Sequence, residues 1–233
     1  MKLSSGKEYE YKTQPYEHQK NAINKAILTD SYAFFMEMGT GKSKVCIDDI
    51  CISYLNNKIN CAIVVAPKGV YRNWSQLELL KHVPDYIEKQ IVTWSSAPTA
   101  KNKKEQKKLF EKNNKLKFFV INVEAFRTRK GLDFTKKVLE YNNCYFAIDE
   151  STVIKNPQAL QTKNILTLRK FTKQRRILSG LPVTKSPLDL FTQCYFLDPS
   201  LLGFESYFAF RSRYAILVQR TTSSHSFQEV VDY

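Results

Sequence analysis

MEMGTGKSK, residues 36–44, joins two apolar runs of the sequence. The run before it, residues 31–36, is short and aromatic, which is typical of a buried strand. The run after it, residues 45–55, is long enough for a helix and is apolar around much of its circumference. Strand, glycine turn and helix together form the arrangement in which backbone N–H groups converge on an anion at a helix N-terminus. The stretch therefore predicts a phosphate-binding loop.

Individual residues of this loop have chemical parts in that prediction. Gly39 and Gly41 can adopt positive φ and let the backbone approach a phosphate closely. Lys42 supplies a positive charge for the β- and γ-phosphates, and Ser43 supplies a hydroxyl for Mg²⁺. Met36 stands where the usual pattern G-x-x-x-x-G-K-[ST] has its first glycine. The alternative is an ordinary strand-to-helix turn with a solvated lysine.

The composition is that of a globular protein with a large positive charge. The 233 residues are 43% hydrophobic and 25% charged, and the formal net charge is +14. This surplus favours a polyanionic partner, nucleic acid, over general solubility as its explanation. No apolar run approaches the roughly 20 residues of a membrane span, and the N-terminus lacks the apolar centre of a signal peptide. We therefore expect no membrane partner.

The five cysteines and three histidines predict neither a metal site nor a disulfide framework. The cysteine count is odd, no C-x-x-C occurs, and most cysteines lie in apolar runs. The histidines are scattered without the spacing of metal ligands. We expect reduced, buried thiols in a cytoplasmic protein.

Strand-like apolar runs alternate with helical stretches along the rest of the chain. This alternation predicts an α/β fold, with a parallel sheet covered by helices on both faces. The predicted strands are residues 31–36, 61–66, 90–94, 118–123, 145–149 and 176–179. Ligands should gather at the carboxyl ends of these strands. The residues expected at that edge are Gly39, Pro67, Asn122, Asp149 and Gly180.

Two further segments stand out by their charge and polarity. Residues 101–117 carry eight lysines against two glutamates and are predicted to form an exposed helix and loop. A solvated face and a nucleic-acid contact are both open explanations of this charge. The last stretch, residues 219–233, is polar and shows no obvious closing element.

FAIDESTVIKNP, residues 146–157, places two carboxylates at the end of an apolar strand. Asp149 at that position can hold Mg²⁺, and Glu150 can polarise an attacking water toward the γ-phosphate. Taken alone, the pair could also belong to a helix N-cap. A phosphate loop earlier in the same alternating chain favours the catalytic interpretation.

Six motifs in order resemble the N-terminal RecA-like ATPase domain of superfamily-two helicases. Within that group the chain resembles the Swi/Snf-type DNA translocases, including their compact phage and bacterial relatives. The motifs are PYEHQKNAI (15–23), MEMGTGKS (36–43), VVAPKGVYRNWSQLE (64–78), VINVEAFR (120–127), DEST with IKNP (149–157) and SGLPVTKSPLDLFTQCYFLDP (179–199). The helicase form of the phosphate loop does not require the first glycine. Lys155 and Asn156 point to the Swi/Snf type over DEAD-box RNA helicases.

The resemblance implies a lobe of a DNA-dependent ATPase that uses ATP and Mg²⁺ and moves on double-stranded DNA. Gln19 would read the adenine edge, and Glu150 would be the general base. Ser43 and Asp149 would hold the magnesium ion. The residues that cradle the phosphates would be Gly39, Thr40, Gly41 and Lys42, with Lys42 also catalytic. The contacts with DNA phosphates would be Lys68, Arg72 and Arg127.

Two departures remove groups from the link between the nucleotide site and motif III, which begins at Ser179. The acidic box of the family usually reads DEAH or DEGH, and Thr152 stands where the linking histidine would be. Motif III commonly reads S/T-G-T-P, and Leu181 stands where its threonine would be. Ser179 and Gly180 remain as the expected coupling residues.

The resemblance covers about residues 15–215 and divides the chain into three parts. Residues 1–14 are expected to be an N-terminal extension and residues 15–218 the RecA-like domain. Residues 219–233 are expected to lead toward a second RecA-like domain, which we do not find among the motifs of this sequence. That domain would bring arginine fingers, so the isolated lobe is expected to hydrolyse ATP weakly or not at all.

Three expectations remain about function, location and one aromatic residue. The alternatives to the ATPase lobe are a regulatory module that binds ATP and nucleic acid without turnover, and a lobe of a DEAD-box-like RNA helicase. The expected location is the cytoplasm of a bacterium or of a phage-infected host. Trp74 is expected to pack in the core rather than to stack on a base.

Overall fold

A parallel sheet of six strands organises the protein. The computed structural model describes residues 2–221 and 226–232. The strands are β1 (Ser31–Phe35), β2 (Cys61–Ala66), β3 (Lys89–Thr93), β4 (Leu116–Asn122), β5 (Cys144–Ile148) and β6 (Gln174–Ser179). Their order across the sheet is β1-β6-β5-β2-β4-β3, and every neighbouring pair is parallel. The predicted strands are confirmed, with their ends displaced by a residue or two.

Helices connect consecutive strands, as a parallel sheet requires. They are α1 (Glu17–Ala26), α2 (Lys42–Leu55), α3 (Tyr71–Asn73), α4 (Leu79–His82), α5 (Ala100–Lys107), α6 (Arg129–Tyr141), α7 (Leu160–Leu168), α8 (Leu190–Leu197) and α9 (Tyr207–Tyr214). A π-helical turn, Trp74–Glu78, joins α3 to α4. In the ranges that the structure describes, no helix is both long and apolar enough to span a bilayer.

Side chains that alternate along the strands build one apolar core on each face of the sheet. On β2, Ala62 and Val64 belong to the core that includes α1, α2 and α4. Their neighbours Ile63 and Val65 belong to the core that includes α6, α7 and α8. The whole of β2 is buried, because helices cover both of its faces. The prediction of a doubly covered parallel sheet is confirmed.

The cysteines are all free and buried, as expected for a reduced protein. Cys61 and Cys144 lie in register on neighbouring strands, and both belong to the core beside α6. They act as small apolar side chains.

The basic run at residues 101–117 is only partly the exposed segment that was predicted. α5 and the 3₁₀ turn after it, Lys108–Phe110, account for the exposed part. Lys117 is 2% exposed because it lies within β4. Its Nζ donates hydrogen bonds to the carbonyl oxygen of Glu111, 2.5 Å away, and to Oδ1 of Asn142, 3.2 Å away. The prediction of exposure is wrong at this position, since tertiary acceptors neutralise the cost of burying the lysine.

An antiparallel hairpin follows α9. Its strands are β7 (Ile216–Thr221) and β8 (Ser226–Asp232), and among the described residues they pair only with each other. The boundary expected between residues 218 and 219 therefore falls inside β7. The polar tail, which showed no closing element in the sequence, contains β8. Residues 222–225 and Tyr233 lie outside the described residues.

Candidate nucleotide cleft and basic edge

A cleft of about 610 Å³ lies where β1 and β5 end and α2 begins. Every residue predicted to bind ATP or Mg²⁺ lines this cleft. The lining residues are Thr13, Gln14, Tyr16, His18, Gln19, Gly39, Thr40, Gly41, Lys42, Ser43, Lys44, Glu78, Lys81, His82, Asp149 and Glu150. Since β1, β6 and β5 are consecutive neighbours in the sheet, their carboxyl ends bring these segments together.

The phosphate loop has the backbone geometry that its glycines predict. Gly39 has φ 78° and Gly41 has φ 82°, in the left-handed region that favours glycine. Gly41 precedes the first residue of α2 and offers no side-chain cap to the N–H groups of the first helical turn. Lys42 Nζ donates to the carbonyl oxygens of Met36 (3.1 Å) and Glu37 (3.2 Å), which holds the ammonium group over the loop. The arrangement presents backbone donors and a cation to an anion.

Gln19 braces the phosphate loop from α1. Its Nε2 donates to the carbonyl oxygen of Thr40 (2.9 Å), and its Oε1 accepts from the backbone N–H of Tyr16 (3.0 Å). A side chain at Gly41 would collide with the Gln19 amide, so packing as well as φ requires glycine there. One amide hydrogen of Gln19 remains beyond these bonds. Recognition of adenine by Gln19 stays a prediction.

Asp149 is held by two hydrogen bonds at the end of β5. Its Oδ2 accepts from the indole Nε1 of Trp74 (2.8 Å), and its Oδ1 accepts from the backbone N–H of Glu150 (3.0 Å). Burial raises the pKa of Asp149, although these bonds and the charge of Lys42 oppose the rise. Trp74 is 2% exposed, which confirms its predicted place in the core. Its contact with the carboxylate was not predicted.

Glu150 has an unusual backbone conformation for its residue type. Its φ of 49° and ψ of 62° are left-handed, which is uncommon for a residue with a side chain. Within residues 2–221 and 226–232, its carboxylate has no hydrogen-bond donor. Partial burial raises the pKa of Glu150, and the charge of Asp149 raises it further, while Lys42 lowers it. A carboxylate with a raised pKa at the edge of a cleft suits a general base.

Ser179 and Gly180 lie against the phosphate loop. The carbonyl oxygen of Ser179 accepts from the backbone N–H of Met36 (3.2 Å). A Cβ atom on Gly180 would lie 3.0 Å from Cγ of Met38 and 3.5 Å from Nζ of Lys42. The absence of a side chain at Gly180 thus lets the end of β6 approach the lysine of the loop.

Four further cleft residues make contacts that were not predicted from the sequence. Tyr16 is 72% exposed, and its ring stacks on that of His18 with centroids 5.9 Å apart. Glu78 lies in the π-helical turn, and its carboxylate is 3.7 Å from Nε2 of His82. Trp74 and Glu78 are four residues apart within the motif at 64–78, a spacing that is typical of the resembled family and that favours one helical face for both.

The residues predicted to contact DNA lie on the other half of the same sheet edge. Lys68 and Arg72 follow β2, Arg127 follows β4, and all three are exposed. β2 and β4 are neighbours, and Glu124 links the loops after them. Burial alone would raise the pKa of Glu124, but hydrogen bonds from Asn122 and from the backbone N–H of Lys68 lower it.

The lysines of the basic run divide between the two edges of the sheet. α5 leaves from the carboxyl end of β3 and the chain returns to the amino end of β4. Lys112 and Lys115 precede β4 and therefore lie at the edge opposite the cleft. Lys115 Nζ forms an ion pair with Glu88 at 3.0 Å. Both explanations of the charge of this run remain open for α5.

Comparison with known proteins identifies the family. The sequence profile of the SNF2-related domain matches residues 16–232. The chain is 28% identical over 181 residues to the chromatin-remodeling ATPase INO80 of Debaryomyces hansenii. This alignment covers 71% of this chain and 12% of that protein. The chain is also 26% identical over 192 residues to Protein CHROMATIN REMODELING 19 of Arabidopsis thaliana. This second alignment covers 80% of this chain and 24% of that protein.

A solved structure shows the same fold. The Sulfolobus solfataricus SWI2/SNF2 ATPase core in complex with dsDNA matches with a TM-score of 0.68 and 24% identity, covering 88% of this chain and 40% of that chain. This likeness confirms the predicted RecA-like fold. The chain spans only 12% and 24% of the two curated relatives' lengths. Because the family profile covers nearly all of the described residues, the chain belongs to the SNF2-related domain family.

Proposed function

We propose that the chain is the ATP-binding lobe of a DNA-dependent ATPase that couples ATP hydrolysis to movement along double-stranded DNA. One observation carries the proposal. The phosphate loop after β1 and the carboxylate pair after β5 line a single cleft, and Gly180 after β6 lies beside Lys42 of that loop. The relative from Debaryomyces hansenii is a chromatin-remodeling ATPase, which supports ATP hydrolysis as the activity.

The chemistry of the cleft fits ATP with Mg²⁺. The first turn of the 14-residue helix α2 has no side-chain cap, so its N–H groups can bind phosphate oxygens. Ser43 and Asp149 offer the hard oxygen ligands that Mg²⁺ prefers. The described donors to the Asp149 carboxylate are both neutral, and its burial favours a compensating cation. A bound magnesium ion would neutralise charge that develops on the γ-phosphate.

Glu150 is the proposed general base. Its raised pKa makes it a better proton acceptor than an ordinary glutamate. Lys42, beside it in the cleft, would stabilise the negative charge of the phosphates. Gly39, Thr40 and Gly41 would place the phosphates against the N-terminus of α2.

We also propose that a second RecA-like lobe completes the site. None of the residues that line the cleft in the described part of the chain is an arginine. An arginine finger stabilises the transition state of phosphoryl transfer and accelerates the reaction about 10³- to 10⁵-fold. The lobe alone should therefore hydrolyse ATP slowly. The free, buried cysteines support a reducing compartment, which we propose to be the cytoplasm.

DNA is proposed to lie across the basic edge formed by Lys68, Arg72 and Arg127. These side chains are exposed on neighbouring loops and would contact phosphates rather than base edges. Such contacts follow the backbone and give little sequence preference. The edge is separate from the nucleotide cleft, so both ligands can be bound at once.

The test is ATP turnover and nucleotide binding by the purified chain, with duplex DNA, with duplex RNA and without nucleic acid. Lys42→Ala should lose nucleotide binding, because the loop loses its cation. Glu150→Gln should bind the nucleotide and fail to hydrolyse it. Duplex DNA should raise the turnover of the unmodified chain more than RNA does.

The other outcomes each remove part of the proposal. Full turnover by Glu150→Gln would exclude Glu150 as the base. Nucleotide binding with no turnover under any condition, even with a separately supplied second lobe of a relative, would indicate a regulatory module. Greater stimulation by RNA than by DNA would indicate an RNA helicase lobe.

A further inference from the structure

Two segments flank the phosphate loop and touch the site proposed above. The first, here named the carboxylate turn, comprises residues 149–155 and carries Glu150. The second, here named the β6 loop, comprises residues 180–185 and begins with Gly180 beside Lys42. Both segments contact α8; the contacts of the carboxylate turn with this helix are buried, and that of the β6 loop is partly buried.

Ser151 is joined to the helix by a hydrogen bond in the interior. Ser151 and Gln193 are both 0% exposed, and Oγ of Ser151 donates to Oε1 of Gln193 at 2.5 Å. The amide nitrogen of Gln193 donates to the carbonyl oxygens of Pro182 (2.8 Å) and Asp189 (2.7 Å). A reversed amide would turn its oxygen toward those two carbonyls, so the surroundings fix its orientation. Gln193 therefore connects the carboxylate turn with the β6 loop directly.

Other side chains of α8 and of the turn before it reinforce the connection. Thr192 Oγ1 donates to the carbonyl oxygen of Ile154 at 2.5 Å. The Asp189 carboxylate accepts from Lys155 Nζ at 3.2 Å and from the backbone N–H of Thr184 at 2.9 Å. The carboxylate turn and the β6 loop thus share two bridging side chains, one neutral and one charged.

The link stands one residue away from the positions where the family resemblance places it. Thr152, at the place of the family's histidine, has no side-chain hydrogen bond within the described ranges. Leu181, at the place of the family's threonine, is 63% exposed. The neighbours of these two residues, Ser151 and Pro182, are the ones that meet on Gln193.

The position of Ser151 directly after Glu150 gives the link a chemical consequence. A left-handed residue with a side chain keeps that conformation only where its surroundings fix it. The backbone N–H of Val153 donates to the carbonyl oxygen of Glu150 (2.9 Å), and the bond from Ser151 to Gln193 holds the next residue. The backbone conformation from which the Glu150 side chain projects is therefore held in part by the anchoring of Ser151.

We propose that Gln193 is a positioning residue that couples the carboxylate turn to the β6 loop, so that nucleotide-dependent movement of one displaces the other. The proposal rests on the proposed function, because it requires the cleft to bind a nucleotide. Gln193 touches no reacting atom. Its effect passes through Ser151 on one side and Pro182 on the other.

The experiment follows backbone amide signals by NMR while the full chain is titrated with Mg²⁺ and a non-hydrolysable ATP analogue. In the unmodified chain, signals of both the carboxylate turn and the β6 loop should shift along one binding curve. In Gln193→Leu, the shifts at residues 183–185 should be reduced but not lost, because Asp189 still bridges the two segments. The dissociation constant should change by less than about fivefold, the lower end of typical allosteric couplings. Ser151→Ala should reduce the same shifts.

Thr162→Val is the matched control. Thr162 is a buried residue of α7 whose hydroxyl has no hydrogen-bond partner among the described residues. This variant should keep the full response of the β6 loop. If the role of Gln193 were purely structural, Gln193→Leu would lower the melting temperature, and the shifts of the carboxylate turn and of the β6 loop would still change together.

Each remaining result has a defined meaning. Full shifts of the β6 loop in both Gln193→Leu and Ser151→Ala overturn the coupling role. An unmodified chain that binds the analogue without any response of the β6 loop overturns it as well and leaves the nucleotide site intact. An unmodified chain that does not bind the analogue overturns the proposed function, and the coupling falls with it. If Gln193→Leu does not fold, Ser151→Ala decides by the same comparison.

Discussion

The indole Nε1 of Trp74 donates a hydrogen bond to Oδ2 of Asp149 over 2.8 Å. Trp74 begins the π-helical turn Trp74–Glu78, and such turns are frequent at functional sites. Burial raises the pKa of the Asp149 carboxylate, and this hydrogen bond lowers it. A residue of the core thus also orients the side chain proposed to hold Mg²⁺.

Replacing this donor should weaken metal-dependent nucleotide binding. In Trp74→Phe an aromatic ring is kept but the indole N–H is lost. Asp149 then lacks a donor while it stays buried, so its pKa should rise further. An unsatisfied buried acceptor costs about 1–3 kcal/mol. The affinity for ADP with Mg²⁺ should fall, and more at acid than at neutral pH, because protonated aspartate is a poor ligand. Calorimetric titration at both pH values measures the effect. Trp94→Phe, in the other core, is the control, and equal losses in the two variants would contradict the prediction.

A methyl group at Gly180 should disturb the phosphate loop. Its Cβ would lie 3.0 Å from Cγ of Met38, closer than ordinary contact, and 3.5 Å from Nζ of Lys42. Overpacking of this kind costs about 1–3 kcal/mol. Gly180→Ala should therefore weaken nucleotide binding severalfold in a fluorescence titration and leave the fold unchanged. Gly69→Ala serves as the control, because a Cβ there meets nothing within 4 Å. Unchanged affinity in Gly180→Ala would show that the loop gives way freely.

His82 should make the protein less stable in mild acid. Burial is the main cause that lowers the pKa of His82 from 6.5 to about 4, and the charges of Lys44 and of two further lysines lower it as well. These effects outweigh the attraction of the Glu78 carboxylate, which lies 3.7 Å away. In the unfolded chain, His82 takes up a proton as the pH falls through its ordinary pKa of 6.5. In the folded chain, His82 takes up this proton only near its lowered pKa of about 4. The free energy of unfolding should therefore fall as the pH decreases through this interval.

His82→Asn removes the titrating group and should flatten that decline. Urea unfolding at both ends of the interval gives the two free energies for each variant. His18→Asn, at an exposed histidine, should behave like the unmodified chain. An equally steep decline in His82→Asn would assign the acid sensitivity to other groups.

Arg176 should be essential for stability. It is 0% exposed, and its Nε donates to Oδ2 of Asp49 at 2.8 Å. Its other donors reach the backbone carbonyl oxygens of Ala26, Thr29, Asp30 and Arg175. Arg176→Met would leave Asp49 buried without its cation, which costs about 3–5 kcal/mol. Urea unfolding should show this loss, and the double variant Arg176→Met with Asp49→Leu should recover part of it. A single-variant loss below about 1 kcal/mol would contradict the role of the pair.

The two edges of the sheet should differ in their effect on DNA binding. Replacing Lys68, Arg72 and Arg127 with alanine removes three charges from the carboxyl edge. The slope of log affinity against log salt concentration should decrease by about 0.9 for each DNA phosphate that the variant no longer neutralises. Replacing Lys112 and Lys115, at the amino edge, is the matched control and should leave the slope unchanged. Equal slopes in the two variants would exclude the carboxyl edge of the sheet as the DNA-binding surface.

A third variant decides the open explanation of the basic run. Replacing the exposed lysines of α5, which are Lys101, Lys103, Lys104 and Lys107, should reduce the slope only if the helix contacts nucleic acid. An unchanged slope would identify α5 as a solvated face.

Local signals allowed much of the candidate nucleotide site to be predicted. The phosphate loop needs only a short strand, two glycines and a helix, all within residues 31–55. The carboxylate pair follows β5 directly, and its strand is a continuous apolar run. Parallel strands align their carboxyl ends, so both segments were expected at one edge. The cleft contains both.

Contacts between distant parts of the chain had no such signal. Trp74 and Asp149 are 75 positions apart, and Ser151 and Gln193 are 42 apart. Gln193 lies in a helix whose residues are almost all buried, where the sequence pattern does not distinguish a bridging amide from a packed one. Lys117 was predicted to be exposed because the pattern of charges does not show which acceptors surround a side chain.

The sequence by itself determined the fold class, the strands and the loops that carry the candidate nucleotide residues, because periodicity and glycine placement act over a few neighbouring residues. The tertiary structure alone decided the strand order, which sets β6 between β1 and β5 and so brings Gly180 to Lys42. It also decided which buried polar groups became partners. A buried donor or acceptor must find a partner wherever the packed chain brings one, and the chain's own neighbours in sequence do not specify that partner.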